Sequence, residues 1–92
     1  MLSDPVMVSG QIREKIRTFL CDTYFIEFGD QLRDEDHLFH KGVLDSFGFI
    51  QMVAFLEREF QIKITQEEML SDALTSVLKM SALIQRKTAA NQ

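Results

Sequence analysis

The chain has little of what crosslinks, kinks or anchors a protein. Its 92 residues include one cysteine, one proline and four glycines. The single cysteine, Cys21, excludes an intramolecular disulfide and any paired-cysteine metal or redox motif, and so fits a reducing compartment. No apolar run approaches the roughly 18 residues that a membrane-spanning helix needs. Residues 1–10 show neither the basic start nor the apolar stretch of an export signal, so a cytoplasmic location without stable membrane insertion is expected. No stretch is rich in Pro, Gly or Ser, and there is no internal repeat or low-complexity segment. Residues 1–92 therefore read as one domain, with 1–8 and 88–92 expected to be flexible ends. Positive charge is also short, at ten Lys and Arg against fourteen Asp and Glu, a net charge of −4. That sign opposes general attraction to nucleic acid or an anionic bilayer.

What is present fits a small globular fold: 46% of residues are apolar and 26% charged, enough for a modest core in a chain that folds alone as a monomer. Helical periodicity occurs three times and strand alternation hardly at all. From about Ser9, a plausible N-cap, to Tyr24, the residues Ile12, Ile16, Phe19 and Thr23 form one stripe. Periodicity then fades from Ile26 to Asp45, where Gly29, Asp34-Glu35-Asp36 and Gly42 mark a long ordered loop pinned by Leu38 and Phe39. From Asp45 to Phe60 the stripe is Phe49, Val53, Leu56 and Phe60, within roughly 60° on a helical wheel. Gln61 to Thr65 is an extended link with Ile62 and Ile64 pointing alike, and Gln66 to Ser71 makes a turn or two. A last helix runs from about Ser76 to Lys87, capped by Thr75 or Ser76, with Val77, Met80 and Ile84 inside and Arg86 and Lys87 at its negative end. The expected fold is all-α: three main helices plus one short one, with a long loop between the first and second.

A loop of that length in so small a domain should carry function or lead to it. It leads to Asp45-Ser46. Asp45 is a favoured N-cap whose carboxylate accepts from the amide of Phe47 or Gly48. Ser46 then sits in the first turn with its hydroxyl outward, beside free amides and the positive end of the helix dipole, where a phosphate ester is stabilised. Locally the pair is equally a plain capping dipeptide.

The wider pattern is more specific. Gly42-Val43-Leu44-Asp45-Ser46-Phe47, then Val53-Ala54-Phe55-Leu56-Glu57-Arg58-Glu59-Phe60-Gln61-Ile62-Lys63-Ile64, Glu67-Glu68 and Leu74-Thr75-Ser76-Val77, resembles the acyl carrier proteins over nearly the whole chain. The resemblance implies a four-helix carrier bundle and no catalysis of its own. It also implies that Ser46 takes 4′-phosphopantetheine from coenzyme A through a phosphopantetheinyl transferase, with Asp45 contacting that transferase. The arm then holds an acyl or related intermediate as a thioester, for example in fatty-acid, polyketide or specialised lipid biosynthesis.

Two departures mark this chain. Phe47 stands where the family usually has Leu, and Gly48 and Gln51 stand where carboxylates are frequent. On the wheel Phe47, Gln51, Ala54 and Arg58 lie opposite the Phe49 stripe, as a docking face for partners, although Phe47 folded back over the loop is the plainer alternative. Acidic Glu57 and Glu59 lie lower on the helix, so steering by basic partner surfaces is expected to be weak. Gly-Val-Leu-Asp-Ser-Phe-Gly with Val-Ala-Phe-Leu-Glu resembles stand-alone carriers served by a dedicated acyl- or aminoacyl-adenylate-forming ligase. Synthases and acyltransferases are the other partner classes implied. Ile50, Met52, Ile64, Met69 and Leu74 either line a cleft for an apolar cargo or are plain core.

Other constellations are weak. Ser46 with His37 or His40 lacks a third group and the bulk for an oxyanion site. Asp30, Asp34, Glu35 and Asp36 lack calcium-loop spacing and read as solvated surface. Cys21 reads as a passive, partly exposed thiol. A helical adaptor that binds a partner helix and bears no prosthetic group explains the apolar stripes but not the carrier pattern.

Overall fold

A computed structural model describes residues 9–90; the expected flexible segment 1–8 and the last two residues lie outside them. Four helices follow in order, α1 (Ser9–Tyr24), α2 (Ser46–Phe60), α3 (Gln66–Leu70) and α4 (Val77–Ala90). No strand occurs among the described residues. The expected all-α order, with a long irregular loop from 25 to 45, is what the chain forms.

In α1 the inward residues are Ile12, Ile16 and Leu20. Leu20 replaces the expected Phe19 and Thr23, which stay half-buried at the helix edge. The spacing of four along the helix tolerates either stripe, and the position of α2 selects between them: Phe19 turns sideways to stack on Phe55 of α2. Ser9 is the first helical residue rather than the cap, and its hydroxyl accepts from Arg13 Nε at 3.3 Å. The helix ends at Phe25, a left-handed non-glycine residue whose amide donates to the Cys21 carbonyl at 2.9 Å.

α2 buries Gly48, Met52, Val53, Leu56 and Phe60. Phe49, expected inside, is half-buried and tilts against Phe39 of the loop at 5.7 Å. The helix stops at Gln61, which turns left-handed and donates its amide to the Glu57 carbonyl. Ile62 and Ile64 of the following link are both buried, and the Ile64 amide donates to Glu57 Oε2 at 2.9 Å. α3 begins with a reciprocal capping box: Thr65 Oγ1 accepts from the Glu68 amide, and Glu68 Oε1 from the Thr65 amide. Ser76 caps α4 by accepting from the Lys79 amide at 3.1 Å. α4 buries Val77, Met80, Leu83 and Ile84 and packs on α1. It continues through Ala90, past the expected tail boundary at Thr88, whose hydroxyl donates to the Ile84 carbonyl at 2.9 Å. Lys87 near its end pairs with Glu68 at 3.1 Å.

The long loop is held at both sides. Asp34 takes Arg13 and Arg17 of α1 on its carboxylate, and its carbonyl accepts from the Leu78 amide at 2.9 Å. The Leu38 amide donates to the Thr75 carbonyl at 2.8 Å, and the Leu38 carbonyl accepts from Val43 and Leu44. Leu32, Leu38 and Leu44 are buried. Phe39, the second expected anchor, is 36% exposed; the turn that buries Leu38 swings the next side chain outward. Gly42, at φ +78°, closes that turn in a conformation that other residues rarely adopt.

Candidate functional site

The loop delivers the chain to α2 with Asp45 extended as N-cap, its Oδ1 accepting from the Gly48 amide at 2.8 Å. Of the two expected acceptor geometries the structure takes the Gly48 one. Ser46 follows as the first helical residue and is exposed. The amides of Ser46 and Phe47 precede the helix's own hydrogen-bond ladder, so the positive end of the dipole lies beside the serine. A carboxylate cap, an accessible primary hydroxyl and free first-turn amides fit attachment of a phosphate ester.

Behind this turn stands a residue that the periodicity did not single out. Tyr24, the last residue of α1, shares its hydroxyl proton between Gln51 Oε1 at 2.9 Å and the Gly48 carbonyl at 3.2 Å. Burial, and then the negative charge of Asp45, push its pKa above the ordinary tyrosine value. The buried Gly48 lets the phenol approach: a Cβ there would meet Tyr24 Oη at 3.0 Å, Asp45 Oδ1 at 3.2 Å and Leu44 Cδ2 at 3.3 Å. The sequence signal was a lone Tyr at the end of one helix and a Gly one turn into another, which no spacing rule connects.

On the outward face, Phe47 is 68% exposed and Ala54 and Arg58 are exposed, while Gln51 is half-buried under Tyr24. Ile50, expected in a cargo cleft, is 65% exposed, one helical turn from Phe47 and Ala54. Of the other four cleft candidates, Met52, Ile64 and Leu74 lie in the core and Met69 packs against its edge. The carboxylates of α2 are engaged, Glu57 by the Ile64 amide and Glu59 by Lys15 at 3.1 Å. His37 and His40 stack on each other at 3.7 Å in the loop. Cys21 is half-buried.

No family model matches the chain. Among curated proteins it is similar to the D-alanyl carrier proteins of Streptococcus pyogenes serotype M5 (strain Manfredo), serotype M49 (strain NZ131) and serotype M1. Each is 39% identical over 61 residues, covering 66% of this chain and 76% of the relative. The chain belongs to the phosphopantetheine-binding acyl carrier proteins. The prosthetic group of this carrier is 4′-phosphopantetheine, and the carrier is not an enzyme. The group supplies a long arm ending in a thiol on which an intermediate rides as a thioester. No helix among the described residues is long and apolar enough to cross a membrane.

Proposed function

We propose that Ser46 bears the phosphopantetheine arm and that the cargo is an aminoacyl group loaded by an adenylate-forming ligase, D-alanine being the cargo named for the relatives. The observation that carries the attachment point is the exposed Ser46 directly after the Asp45 cap, with the helix dipole behind it. In the transfer, the Ser46 hydroxyl loses its proton and takes phosphopantetheine from coenzyme A, and adenosine 3′,5′-bisphosphate leaves. Phe47, Ala54 and Arg58, with Ile50 beside them, form the face that meets the transferase and the ligase, and Gln51 braces that face against Tyr24. A cargo as small as an amino acid needs no bundle interior, consistent with Met52, Ile64 and Leu74 serving the core.

The test is intact mass after incubation with coenzyme A and a broad-specificity phosphopantetheinyl transferase, with Ser46→Ala in parallel. One phosphopantetheine on the parent and none on the variant is expected. The loaded protein is then offered to a D-alanine-activating ligase with ATP, and to an acyl-activating ligase with a fatty acid. A mass gain of one alanyl group in the first arm alone supports the aminoacyl cargo; gain only in the second overturns it.

A further inference from the structure

Along their length α1 and α2 run antiparallel, for Tyr24 meets Gly48 and Gln51, Phe19 meets Phe55, and Lys15 meets Glu59. At the middle of this seam the Phe19 and Phe55 rings stack at 4.2 Å, with planes 15° from parallel, and both remain half-buried. They floor an open groove of about 450 Å³, within the range of about 300–1,000 Å³ that accommodates a recognised group. Glu14 and Asp22 of α1 and Glu59 of α2 rim it, together with Lys15. Lys15 is spent on Glu59 at 3.1 Å. The cation nearest Glu14 is Arg17 at 4.0 Å, and Arg17 is held more closely by Asp34. Asp22 has no ion-pair partner among the described residues.

Asp22, without such a partner, and Glu14, paired only at 4.0 Å with an Arg17 that Asp34 holds more closely, stand over an aromatic floor and complement a long cationic side chain, whose methylenes cover the rings while its head reaches the rim. A guanidinium suits carboxylates better than an ammonium, because its planar fork makes two parallel hydrogen bonds. The outward face of α2 offers no carboxylate of this kind, since Phe47, Gln51, Ala54 and Arg58 make it neutral to basic. We propose that the α1/α2 groove is a second docking site, which receives an arginine on an amphipathic helix of a partner enzyme, the apolar neighbours of that arginine resting on Phe19 and Phe55. The carrier reading enters only in taking the partner to be an enzyme that loads or unloads the arm.

The test uses the full-length ¹⁵N-labelled protein and a short amphipathic helical peptide with a single arginine, compared with the same peptide carrying neutral citrulline. Amide shifts are expected at Thr18, Phe19, Asp22 and Phe55, with binding weakened up to about fivefold by citrulline or by Glu14→Gln with Asp22→Asn, the order expected for one partly exposed charge pair, since Glu14 and Asp22 lie about 12 Å apart along α1 and a single guanidinium reaches only one of them. Equal binding of both peptides, or shifts centred on Phe47 or on α3, overturns the proposal. Should the double variant lose its helical circular dichroism, the peptide comparison on the parent decides alone. Ser46→Ala is expected to bind the peptide like the parent. Failure of groove binding therefore leaves the mass test of Ser46 untouched, and failure of that test leaves the groove standing.

Discussion

The hydroxyl of Tyr24 lies 3.0 Å from where a Cβ on Gly48 would sit, so the end of α1 and the first turn of α2 meet so closely that a methyl group fits only if a neighbour gives by a few tenths of an ångström. This contact ties the helix that bears Ser46 to the rest of the bundle. It also accounts for a residue without a side chain at position 48.

Gly48→Ala is therefore expected to destabilise the fold by about 1 kcal/mol, because crowding against a hydrogen-bonded phenol and a capping carboxylate outweighs the helix preference of alanine. In the background of Tyr24→Phe, which removes the hydroxyl, the same change is expected to be neutral or stabilising. Urea unfolding of the four proteins in the cycle measures the coupling, and simple additivity would contradict the contact.

Asp45→Ala is expected to cost about 1 kcal/mol through loss of the cap on Gly48. Tyr24 is the only tyrosine, so absorbance of its phenolate reports one group. Its pKa, raised first by burial and second by Asp45, is expected to fall in Asp45→Ala yet stay above the ordinary value. Since the folded pKa exceeds the unfolded one, the stabilising contribution is full below about pH 10 and fades as pH rises through the folded value.

Glu68 works with the opposite sign. Burial raises its pKa, but the Thr65 amide, the Lys87 ammonium and the Thr65 hydroxyl together outweigh that and leave it below the usual carboxylate value. Stability from this group is present above the unfolded carboxylate pKa and lost as pH falls through the lower folded one. Glu68→Gln is expected to flatten the acid limb of the stability profile, and identical profiles for the two proteins would remove the assignment.

Glu57→Ala is expected to cost about 1–2 kcal/mol, because the Ile64 amide loses a charged acceptor. Phosphopantetheine attachment should proceed as in the parent, since the change lies near the far end of α2 from Ser46.

Phe47→Ala is expected to leave stability within about 0.5 kcal/mol, for the ring is mostly in solvent. The rate of loading by the cognate ligase is expected to fall several-fold. Unchanged rates with transferase and ligase alike would take Phe47 off the docking face.

The parts legible along the chain were those whose physics is local. A capping Asp at the start of an apolar stripe sets the beginning of α2 within its own first turn, and the pattern around Asp45-Ser46 identifies the family before any packing is known. Thr65 and Glu68, three residues apart, carry the residue types of a capping box, which is again a local feature. The helix order, the long loop and the inward Val53, Leu56, Val77, Met80 and Ile84 needed no more than the 3.6-residue period.

What depended on neighbours distant in sequence came from the tertiary structure alone. An edge residue of an amphipathic helix is buried or not according to the element laid beside it, so Leu20 displaced Phe19 in the core and Phe19 became half of an aromatic pair with Phe55. Ile50 and Gln51 illustrate the same dependence, one left in solvent and the other drawn to Tyr24. The sequence by itself determined that a capped helix start would present a serine. Only the packing of α1 on α2 decided what braces that helix and which grooves flank it, because side chains 24 and more residues apart meet only when the helices do.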